Sequence, residues 1–532
     1  MTTLIFDGAN PFPSLTGPAS GEPAGQINGY RVYQEGVAQA LLEFGSFDTC
    51  HFLSRDPFRV VPPALQEAVR RHSPRARLLT TAELPTLLAR PNVVVFAPGS
   101  GLTALMPLHL PGGGRRWPAI GAVHSLDTDV VANLALALLH APVDQGDALL
   151  CSSRAARTVL ERLWAGHGAE APISLPVVPL GVRCDDFVID RGRARQRLEL
   201  AAEAEIVLYL GRLSPLSKCD LMPLVQLFAR EVAPPRPRAR LVLAGSDGPE
   251  ASAGPLQAAA RALGCADRIQ VLPDIDHDTK LDLLAAADVF VSPSDHLQET
   301  FGISIIEAMA AGLPVVCSDW SGYRELLEDG VTGMLVPSYW LPLGPELEML
   351  SRGSLVARSV ALAAATIIDP GVLVARLGQL LDAPTLRRTM GAAAQAEARR
   401  RFDWPVVIAA MEEVWHDLLP RAAGRAVASV GAPPPGGQRV FGHYPTRMLD
   451  LAVVATLTPA GRAYLDGALA AGPGTLADPR RVRQLLTLTG QHGPVALAKL
   501  VELARSSAPS TFVTLSEISA AAKYGLLSLT ST

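Results

Sequence analysis

The stretch that decides the fold is residues 299–316, which read Glu-Thr-Phe-Gly-Ile-Ser-Ile-Ile-Glu-Ala-Met-Ala-Ala-Gly-Leu-Pro-Val-Val. Glu299 precedes a small-residue turn, and Glu307 lies eight positions later, inside the helix that the turn begins. The N-terminus of a helix presents free backbone N–H groups and favours anions. We therefore expect the amides of this turn to face a phosphate while the two carboxylates hold sugar hydroxyls.

A different use of the two carboxylates, as the acid and base of a glycosidase, does not fit their spacing. Glycosidase carboxyl groups stand roughly 5–9.5 Å apart across one bond. Eight residues of continuous helix would separate Glu299 and Glu307 by about 12 Å along the axis and rotate them by about 80°. The pair is therefore predicted to contact two parts of one long ligand.

Short apolar runs alternate with amphipathic stretches through most of the chain. Buried, β-rich runs of about five residues, separated by helices, are typical of parallel α/β sheets. The runs are too many for one sheet, so we expect two. The predicted strands are 3–6, 92–96, 119–123, 148–151, 177–179, 206–210, 241–244, 269–272, 289–291 and 315–317.

The domain boundaries follow from changes in this pattern. We expect a first Rossmann-like domain at 1–190 and a second at 191–420. A Pro/Gly-rich linker is predicted at 421–440, followed by a small, mostly helical domain at 441–532. The last segment carries no motif with evident chemistry. It is interpreted as a helical appendage, with docking of a partner or acceptor as the alternative.

A second motif follows the strand predicted at 206–210. The sequence from Gly211 to Lys218 reads Gly-Arg-Leu-Ser-Pro-Leu-Ser-Lys. A glycine lets a ligand approach the backbone, and a guanidinium and an ammonium neutralise the charge of a leaving diphosphate. Lys218 is one of only four lysines in the chain. Gly211, Arg212 and Lys218 are therefore predicted to bind a pyrophosphate.

The two motifs resemble the donor-binding signature of retaining glycosyltransferases with the GT-B architecture, the family 4-like, group 1 enzymes. The resemblance implies two Rossmann-like domains facing a central cleft. It also implies a nucleotide-diphosphate-sugar donor, linked to UDP or GDP, and transfer with retention without a metal or other cofactor. Further pieces follow in the family's order at 179–182, 243–248, 288–294, 319–325, 330–336 and 401–404.

The same resemblance assigns roles to residues of the second domain. It implies that Glu307 binds the ribose hydroxyls of the nucleotide and that Glu299 binds the donor sugar, while Arg212 and Lys218 assist departure of the diphosphate. The resemblance also implies that backbone groups of the protein contact the sugar, the phosphate and the base of the donor. They belong to Phe301, Gly302, Ile303, Pro273 and Ile275.

In the first domain the resemblance points to one histidine and one glycine. His124 ends the strand predicted at 119–123, where strand ends line the crevice of an open α/β sheet, and it resembles the family histidine that faces the donor sugar. His109 is the alternative. Gly29 is the counterpart of a glycine pair that opens the first helix in the family. The preceding loop departs from the family, so the acceptor is not inferred.

The sequence Asp127-Thr128-Asp129 invites a metal-binding interpretation, because Asp-x-Asp holds a metal in the other large glycosyltransferase architecture. These residues instead suit the start of a helix, where acidic side chains interact favourably with the helix dipole. Arg212 and Lys218 make a divalent ion unnecessary for the leaving group. We therefore predict no metal site.

Composition excludes several classes of protein. The chain has 532 residues, 48% of them hydrophobic and 18% charged, with a net charge of −4, so no basic excess suggests nucleic acid. Six scattered cysteines show no zinc spacing and indicate buried thiols in a reducing compartment. No signal peptide and no apolar run of membrane-spanning length is evident. We expect a cytoplasmic, bacterial protein.

The predicted function is a retaining transfer of a hexose-type sugar to an acceptor hydroxyl of a glycan, metabolite, lipid-linked molecule or protein. An epimerase would need extra acid–base residues, and a phosphorylase would need a lysine for a covalent cofactor, for which only Lys280 is otherwise available in the second domain. A catalytically degenerate protein acting as a scaffold through 441–532 is the alternative outside enzymes. The intact Glu299, Glu307, Arg212 and His124 argue against it.

Overall fold

The first sheet has six parallel strands in the order β3-β2-β1-β4-β5-β6. In the computed structural model the described residues are 2–7, 29–54, 63–80, 83–98, 115–123, 126, 129–248, 251–339, 355–423, 450–468, 478–505 and 511–530. Central strand β1 pairs with β4 in the register Thr3↔Val93 to Phe6↔Phe96. The strands are β1 (Thr3–Phe6), β2 (Thr49–Ser54), β3 (Ala76–Thr80), β4 (Val93–Ala97), β5 (Ala119–Ala122) and β6 (Ala148–Leu150).

The second sheet repeats this topology. Its six parallel strands lie in the order β12-β11-β10-β7-β8-β9, so both sheets have the doubly wound 3-2-1-4-5-6 order of a Rossmann fold. In such sheets ligands bind beyond the carboxyl ends of the strands where the order reverses, here between β7 and β10. The strands are β7 (Glu205–Leu210), β8 (Ala239–Gly245), β9 (Ile269–Pro273), β10 (Val289–Ser292), β11 (Val315–Ser318) and β12 (Gly333–Val336).

Helices cover both sheets and form most of the C-terminal segment. They are α1 (Gly29–Phe44), α2 (Pro63–Arg71), α3 (Leu84–Leu88), α4 (Asp129–Ala137), α5 (Arg154–Ala165), α6 (Arg191–Arg197), α7 (Met222–Leu227), α8 (Ala253–Ala262), α9 (His277–Ala286), α10 (Ile303–Ala310), α11 (Leu355–Ala364), α12 (Pro370–Asp382), α13 (Pro384–Arg401), α14 (Trp404–Ala423), α15 (Pro459–Leu465), α16 (Pro479–His492), α17 (Leu497–Leu503) and α18 (Thr511–Lys523). Short 3₁₀ helices lie at Leu138–His140, Cys184–Phe187 and Ser321–Glu325, and a π-helix lies at Phe228–Val232.

Helix α14 joins the two domains by packing its aromatic residues against the first one. Trp404 lies 6.4 Å from the ring of Tyr33, and Trp415 lies 6.2 Å and 5.9 Å from the rings of Phe47 and Phe96. A side chain at Gly181 would meet the Trp404 ring at 2.4 Å, so this crossing needs a glycine. The C-terminal helix of the second domain is thus anchored in the core of the first.

The C-terminal segment has its own small core. Strands β15 (Val454–Leu457), β16 (Val495–Ala496) and β17 (Leu527–Thr530) form an antiparallel sheet in the order β16-β15-β17, with helices packed on it. The segment was predicted as mostly helical, and its three strands were missed because runs of two to four residues carry no readable period. A further antiparallel pair joins β13 (Ser338–Tyr339) and β14 (Ile367–Ile368).

The predicted α/β architecture of two Rossmann-like domains is confirmed. The run at 177–179 was wrongly predicted as a strand, since Val177 forms only an isolated bridge with Cys151. Strands β2, β3 and β12 were missed. The linker predicted at 421–440 lies outside the described residues beyond Ala423. Among the described residues no helix is both long and apolar enough to cross a membrane.

Candidate functional site

The loops that follow β7 and β8 meet at the point where the order of the second sheet reverses. Gly245, which ends β8, has a φ of 137°, and a Cβ there would lie 2.0 Å from the carbonyl oxygen of Gly211. Gly211 follows β7 directly and contacts the Lys218 side chain, since a Cβ at Gly211 would meet its Cε at 3.3 Å. The two loops therefore approach closely enough to hold the predicted Gly211–Lys218 motif beside the sheet's carboxyl edge.

Arg212 is held by hydrogen bonds within its own loop and to the loop that follows β10. Its guanidinium donates to the hydroxyl of Ser217 at 3.0 Å and to the Ser217 carbonyl at 2.9 Å. It also donates to Oε1 of Gln298 at 2.7 Å. Gln298 directly precedes Glu299, so the two predicted motifs touch here. Gln298 could not be singled out from the sequence, because its partner lies 86 positions away.

Lys218 and Glu299 form an ion pair at the centre of the site, with side chains 12% and 13% exposed. The amide of Phe301 donates to Oε1 of Glu299 at 3.3 Å. Burial alone would raise the pKa of the Glu299 carboxyl, but the adjacent ammonium and these hydrogen bonds outweigh burial and hold that pKa below its ordinary value. Glu299 is thus an anion that accepts hydrogen bonds.

The turn at Gly302 begins helix α10. Gly302 is the N-cap residue, with φ 109° and ψ 67°, a conformation that favours glycine. A Cβ at Gly302 would lie 2.5 Å from Cε1 of Tyr323, so the turn rests on that ring. Phe301 is buried and Ile303 opens the helix. Helix α10, whose first amides have no partner within the helix, thus begins at Ile303, four residues after Glu299.

Glu307, one of the predicted ligand residues, is paired with Lys280. The ammonium of Lys280, on helix α9, donates to Oε1 of Glu307, and the two side chains are 15% and 6% exposed. From the sequence, Lys280 was a candidate only for the lysine that binds a phosphorylase's covalent cofactor, and its pairing with Glu307 was not predicted. Both predicted carboxylates therefore lie in ion pairs with lysines that come from other elements of the second domain.

Pro273 and Ile275 flank the loop after β9. Between them Asp274 has a φ of 51°, and its amide donates to the Gly245 carbonyl at 2.8 Å. The amide of Asp247 in turn donates to Oδ1 of Asp274 at 3.1 Å. Pro273 is exposed and Ile275 is half-buried. These contacts fix the loop after β9 to the loop after β8, one step further along the sheet edge from Gly211.

The first domain contacts the loop that carries Glu299. The hydroxyl of Ser153, which caps helix α5, donates to the carbonyl of Thr300 at 2.7 Å. The carboxylate of Glu325 accepts from the amides of Arg154 and Ala155, both at 2.9 Å. A carboxylate at a helix N-terminus is favoured by the free amides and by the helix dipole. The two domains are thus joined next to the candidate site.

A second buried carboxyl group, that of Asp295, belongs to the loop that carries Glu299. Asp295 accepts from the amide of Asp220 at 3.3 Å, and the hydroxyl of Ser294 donates to the Lys218 carbonyl at 3.0 Å. Burial raises the pKa of Asp295 to about 7. Nothing in the sequence marked Asp295 out.

Most of the residues predicted for the first domain's side of the site fall in parts of the chain that the structure does not describe. His124, the alternative His109, and Asp127 lie outside the described residues. Gly29 is the first residue of helix α1. Among the residues that the structure describes, no three His, Cys, Asp or Glu side chains lie close enough to hold a metal ion.

Comparison with known proteins identifies a family and relatives that are similar to this chain in sequence. A model of the family described as "Glycosyl transferases group 1" matches residues 190–341. A protein of Catenulispora acidiphila named D-inositol 3-phosphate glycosyltransferase 2 is 32% identical over 322 residues, covering 57% of this chain and 66% of that protein. This chain thus spans slightly less than two thirds of that relative's length.

Another relative and one solved structure extend the comparison. The D-inositol 3-phosphate glycosyltransferase of Kineococcus radiotolerans is 33% identical over 347 residues, covering 60% of this chain and 70% of that protein. Anabaena HepE, solved in complex with UDP, is 19% identical, with a TM-score of 0.51, and the match covers 78% of this chain and all of that one. At that identity the likeness to HepE is one of fold.

Proposed function

This chain belongs to the family of group 1 glycosyl transferases, and from that premise we propose that it transfers a sugar from a nucleotide-diphosphate-sugar donor to an acceptor hydroxyl. One observation carries the proposal. The Lys218–Glu299 pair joins the loop after β7 to the loop that precedes α10, and the Lys280–Glu307 pair joins helix α9 to α10, the helix that begins at the Gly302 turn and follows β10, where the order of the second sheet reverses. An anion-binding turn beside hydroxyl-accepting carboxylates fits a diphosphate joined to two sugars, one of them ribose.

The donor is proposed to lie across the carboxyl ends of β7 to β10. Arg212 and Lys218 face its diphosphate and neutralise the charge that develops as the sugar departs. Glu299 accepts from the transferred sugar, Glu307 accepts from the ribose, and the backbone at Pro273 to Ile275 contacts the base. UDP is the first nucleotide to test, because a protein of this fold, HepE, was solved with it.

Transfer is proposed to proceed with retention and without a metal. Glu299 has a lowered pKa and is engaged by Lys218, which suits it to hold a sugar hydroxyl better than to donate a proton. Substitution on the face that the diphosphate leaves is therefore the proposed route, with the departing diphosphate held by Arg212 and Lys218. Unchanged turnover in EDTA, and an α-linked product from an α-linked donor, would support these two points.

For the acceptor, D-inositol 3-phosphate is the first compound to test, because the relatives are named for it. We further propose that the protein works in the cytoplasm, since the six cysteines are free and buried, as in a reducing compartment. The C-terminal segment, with its own core, is proposed to dock the acceptor or a partner. Truncation after residue 423 should then lower transfer to the acceptor and leave donor binding intact.

The experiment that tests the proposed function measures diphosphate release from UDP-, GDP-, ADP- and dTDP-linked sugars, with and without acceptor. Glu299→Gln serves as the site variant, and Arg388→Ala, at an exposed position of helix α13, serves as the control. We expect one donor to be consumed by the wild type and the control, and much more slowly by Glu299→Gln. Binding of a donor without any turnover would instead favour a scaffold, and interconversion of the free donor would favour an epimerase.

A further inference from the structure

The phenol of Tyr323 lies at the centre of a buried polar group formed by Lys218, Ser292, Glu299 and Tyr323, which we call the Tyr323 group. Its oxygen is 3.2 Å from Nζ of Lys218, 3.3 Å from Oε2 of Glu299 and 2.9 Å from Oγ of Ser292. The Tyr323 side chain is fully buried. The same side chain also supports the Gly302 turn, since a Cβ at Gly302 would lie 2.5 Å from its Cε1.

Packing explains the ring of Tyr323 but not its hydroxyl. The ring supports Gly302 and belongs to the hydrophobic core that includes Phe301 and Ile305, a role that phenylalanine would fill equally well. A buried hydroxyl costs free energy unless it is hydrogen-bonded. The hydroxyl is therefore explained only by its partners, two of which are the proposed diphosphate cation and the proposed sugar carboxylate.

The protons of the group can be assigned from its chemistry. An ammonium only donates and an ionised carboxylate only accepts. The phenol oxygen therefore accepts from Lys218, and it can also accept from the hydroxyl of Ser292, which leaves the phenolic proton for Glu299. Burial, together with the charge of Glu299, raises the pKa of Tyr323 far above its ordinary value, so the phenol keeps that proton.

We infer that Tyr323 is a positioning residue that keeps the Glu299 carboxylate oriented when Lys218 turns its charge to the diphosphate of the donor. Without donor, Lys218 and Tyr323 share Oε2 of Glu299. A bound diphosphate competes for the ammonium, because it carries more negative charge than one carboxylate. The phenol, being neutral, has no such competitor, so it stays on Glu299. This inference rests on the proposed function.

Tyr323→Phe tests the inference because it removes one hydroxyl and keeps the ring. Affinity for the nucleoside diphosphate should change less than about threefold, since Arg212, Lys218 and Glu307 are intact. Affinity for the nucleotide sugar and the turnover number should fall by about ten- to a hundredfold, the range expected for one hydrogen bond to a charged group. Tyr339→Phe, which removes an exposed hydroxyl 3.3 Å from Oδ2 of Asp369, is the control and should change neither.

The ratio of the two affinities separates positioning from loss of structure. If Tyr323 were merely structural, its loss would weaken binding of the nucleoside diphosphate and of the nucleotide sugar alike, and that result would overturn the inference. An unchanged turnover number would overturn it as well. If Tyr323→Phe does not fold, Ser292→Ala removes another member of the group and should show the same split more weakly. A wild type that binds no nucleotide sugar overturns the proposed function itself, whereas an active wild type with an equally active Tyr323→Phe overturns the inference alone.

Discussion

The Lys280–Glu307 pair gives the sharpest prediction about how the candidate site is held together. Lys280→Met keeps most of the apolar length of the side chain but leaves the Glu307 carboxylate, 6% exposed, without its cation. Breaking a buried ion pair by removing one partner costs about 3–5 kcal/mol, because an uncompensated charge stays in a medium of low polarity. The lower end applies here, since Lys280 retains 15% exposure.

This cost should appear as local opening of helices α9 and α10, which carry the two residues. About 3 kcal/mol corresponds to a shift of roughly a hundredfold in the opening equilibrium, so amides of 277–286 and 303–310 should exchange with solvent deuterium about a hundred times faster. The measurement is hydrogen exchange by mass spectrometry on the nucleotide-free protein. Exchange is chosen over a single unfolding free energy because a chain of several domains need not unfold in one step.

Two further variants make the prediction refutable. Lys280→Met combined with Glu307→Gln removes the stranded charge and should recover most of the lost protection. Lys499→Met breaks an exposed pair with Glu502, the side chains being 55% and 60% exposed, and should change exchange in its own helix very little. The buried pair does not stabilise the site if the amides of Lys280→Met exchange as slowly as those of the wild type. The same conclusion follows if the amides of the double variant exchange faster than those of the single variant.

Three other predictions follow from the site. Glu307→Gln should weaken nucleotide binding while Glu299→Gln mainly lowers turnover, which titration calorimetry and steady-state kinetics would separate; equal loss of binding in both would contradict this division. Because the pKa of Asp295 is raised from 3.8 to about 7, the folded protein holds a proton that the unfolded chain releases, so stability should fall as pH rises from about 4 to 7. In thermal melts, Asp295→Asn should reduce this dependence of stability on pH, and an unchanged dependence would contradict the role given to Asp295. Glu325→Ala should speed amide exchange in the first turn of helix α5 by about two- to thirtyfold, the worth of a helix cap, and unchanged exchange would mean that the contact between domains is not a stabilising one.

The sequence predicted the parts of the fold whose strands are buried on both faces. Val289–Ser292 and Val315–Ser318 are buried throughout, and their apolar runs are rich in valine, so they stand out from the helices around them. Strands β2 (Thr49–Ser54) and β3 (Ala76–Thr80) lie towards one edge of the first sheet and include polar residues such as His51 and Arg77. These polar residues interrupt the apolar runs, and the two strands are defined by their pairing, β2 with β1 and β3 with β2.

The candidate site was predictable where its residues follow one another along the chain. Glu299, Gly302 and Glu307 are a local pattern, because a turn and a helix fix their spacing. The partners of these residues were not predictable. Tyr323 reaches Lys218 across 105 positions, and Lys280 reaches Glu307 across 27, because the order of the strands brings separate loops to one edge of the sheet. The spacing of residues along the chain does not reveal the order of the strands in the sheet.

The most direct test of a nucleotide-sugar site in the second domain is a melting-temperature titration with UDP, GDP, ADP and dTDP. A nucleotide at about 100 times its dissociation constant should stabilise the wild type by about 2.7 kcal/mol. Arg212→Ala should lose that stabilisation, and Arg388→Ala, an exposed arginine of helix α13, should keep it. One nucleotide that stabilises the wild type and Arg388→Ala but not Arg212→Ala is the predicted result. Stabilisation by none of the four, or equal stabilisation of all three proteins, would contradict the account.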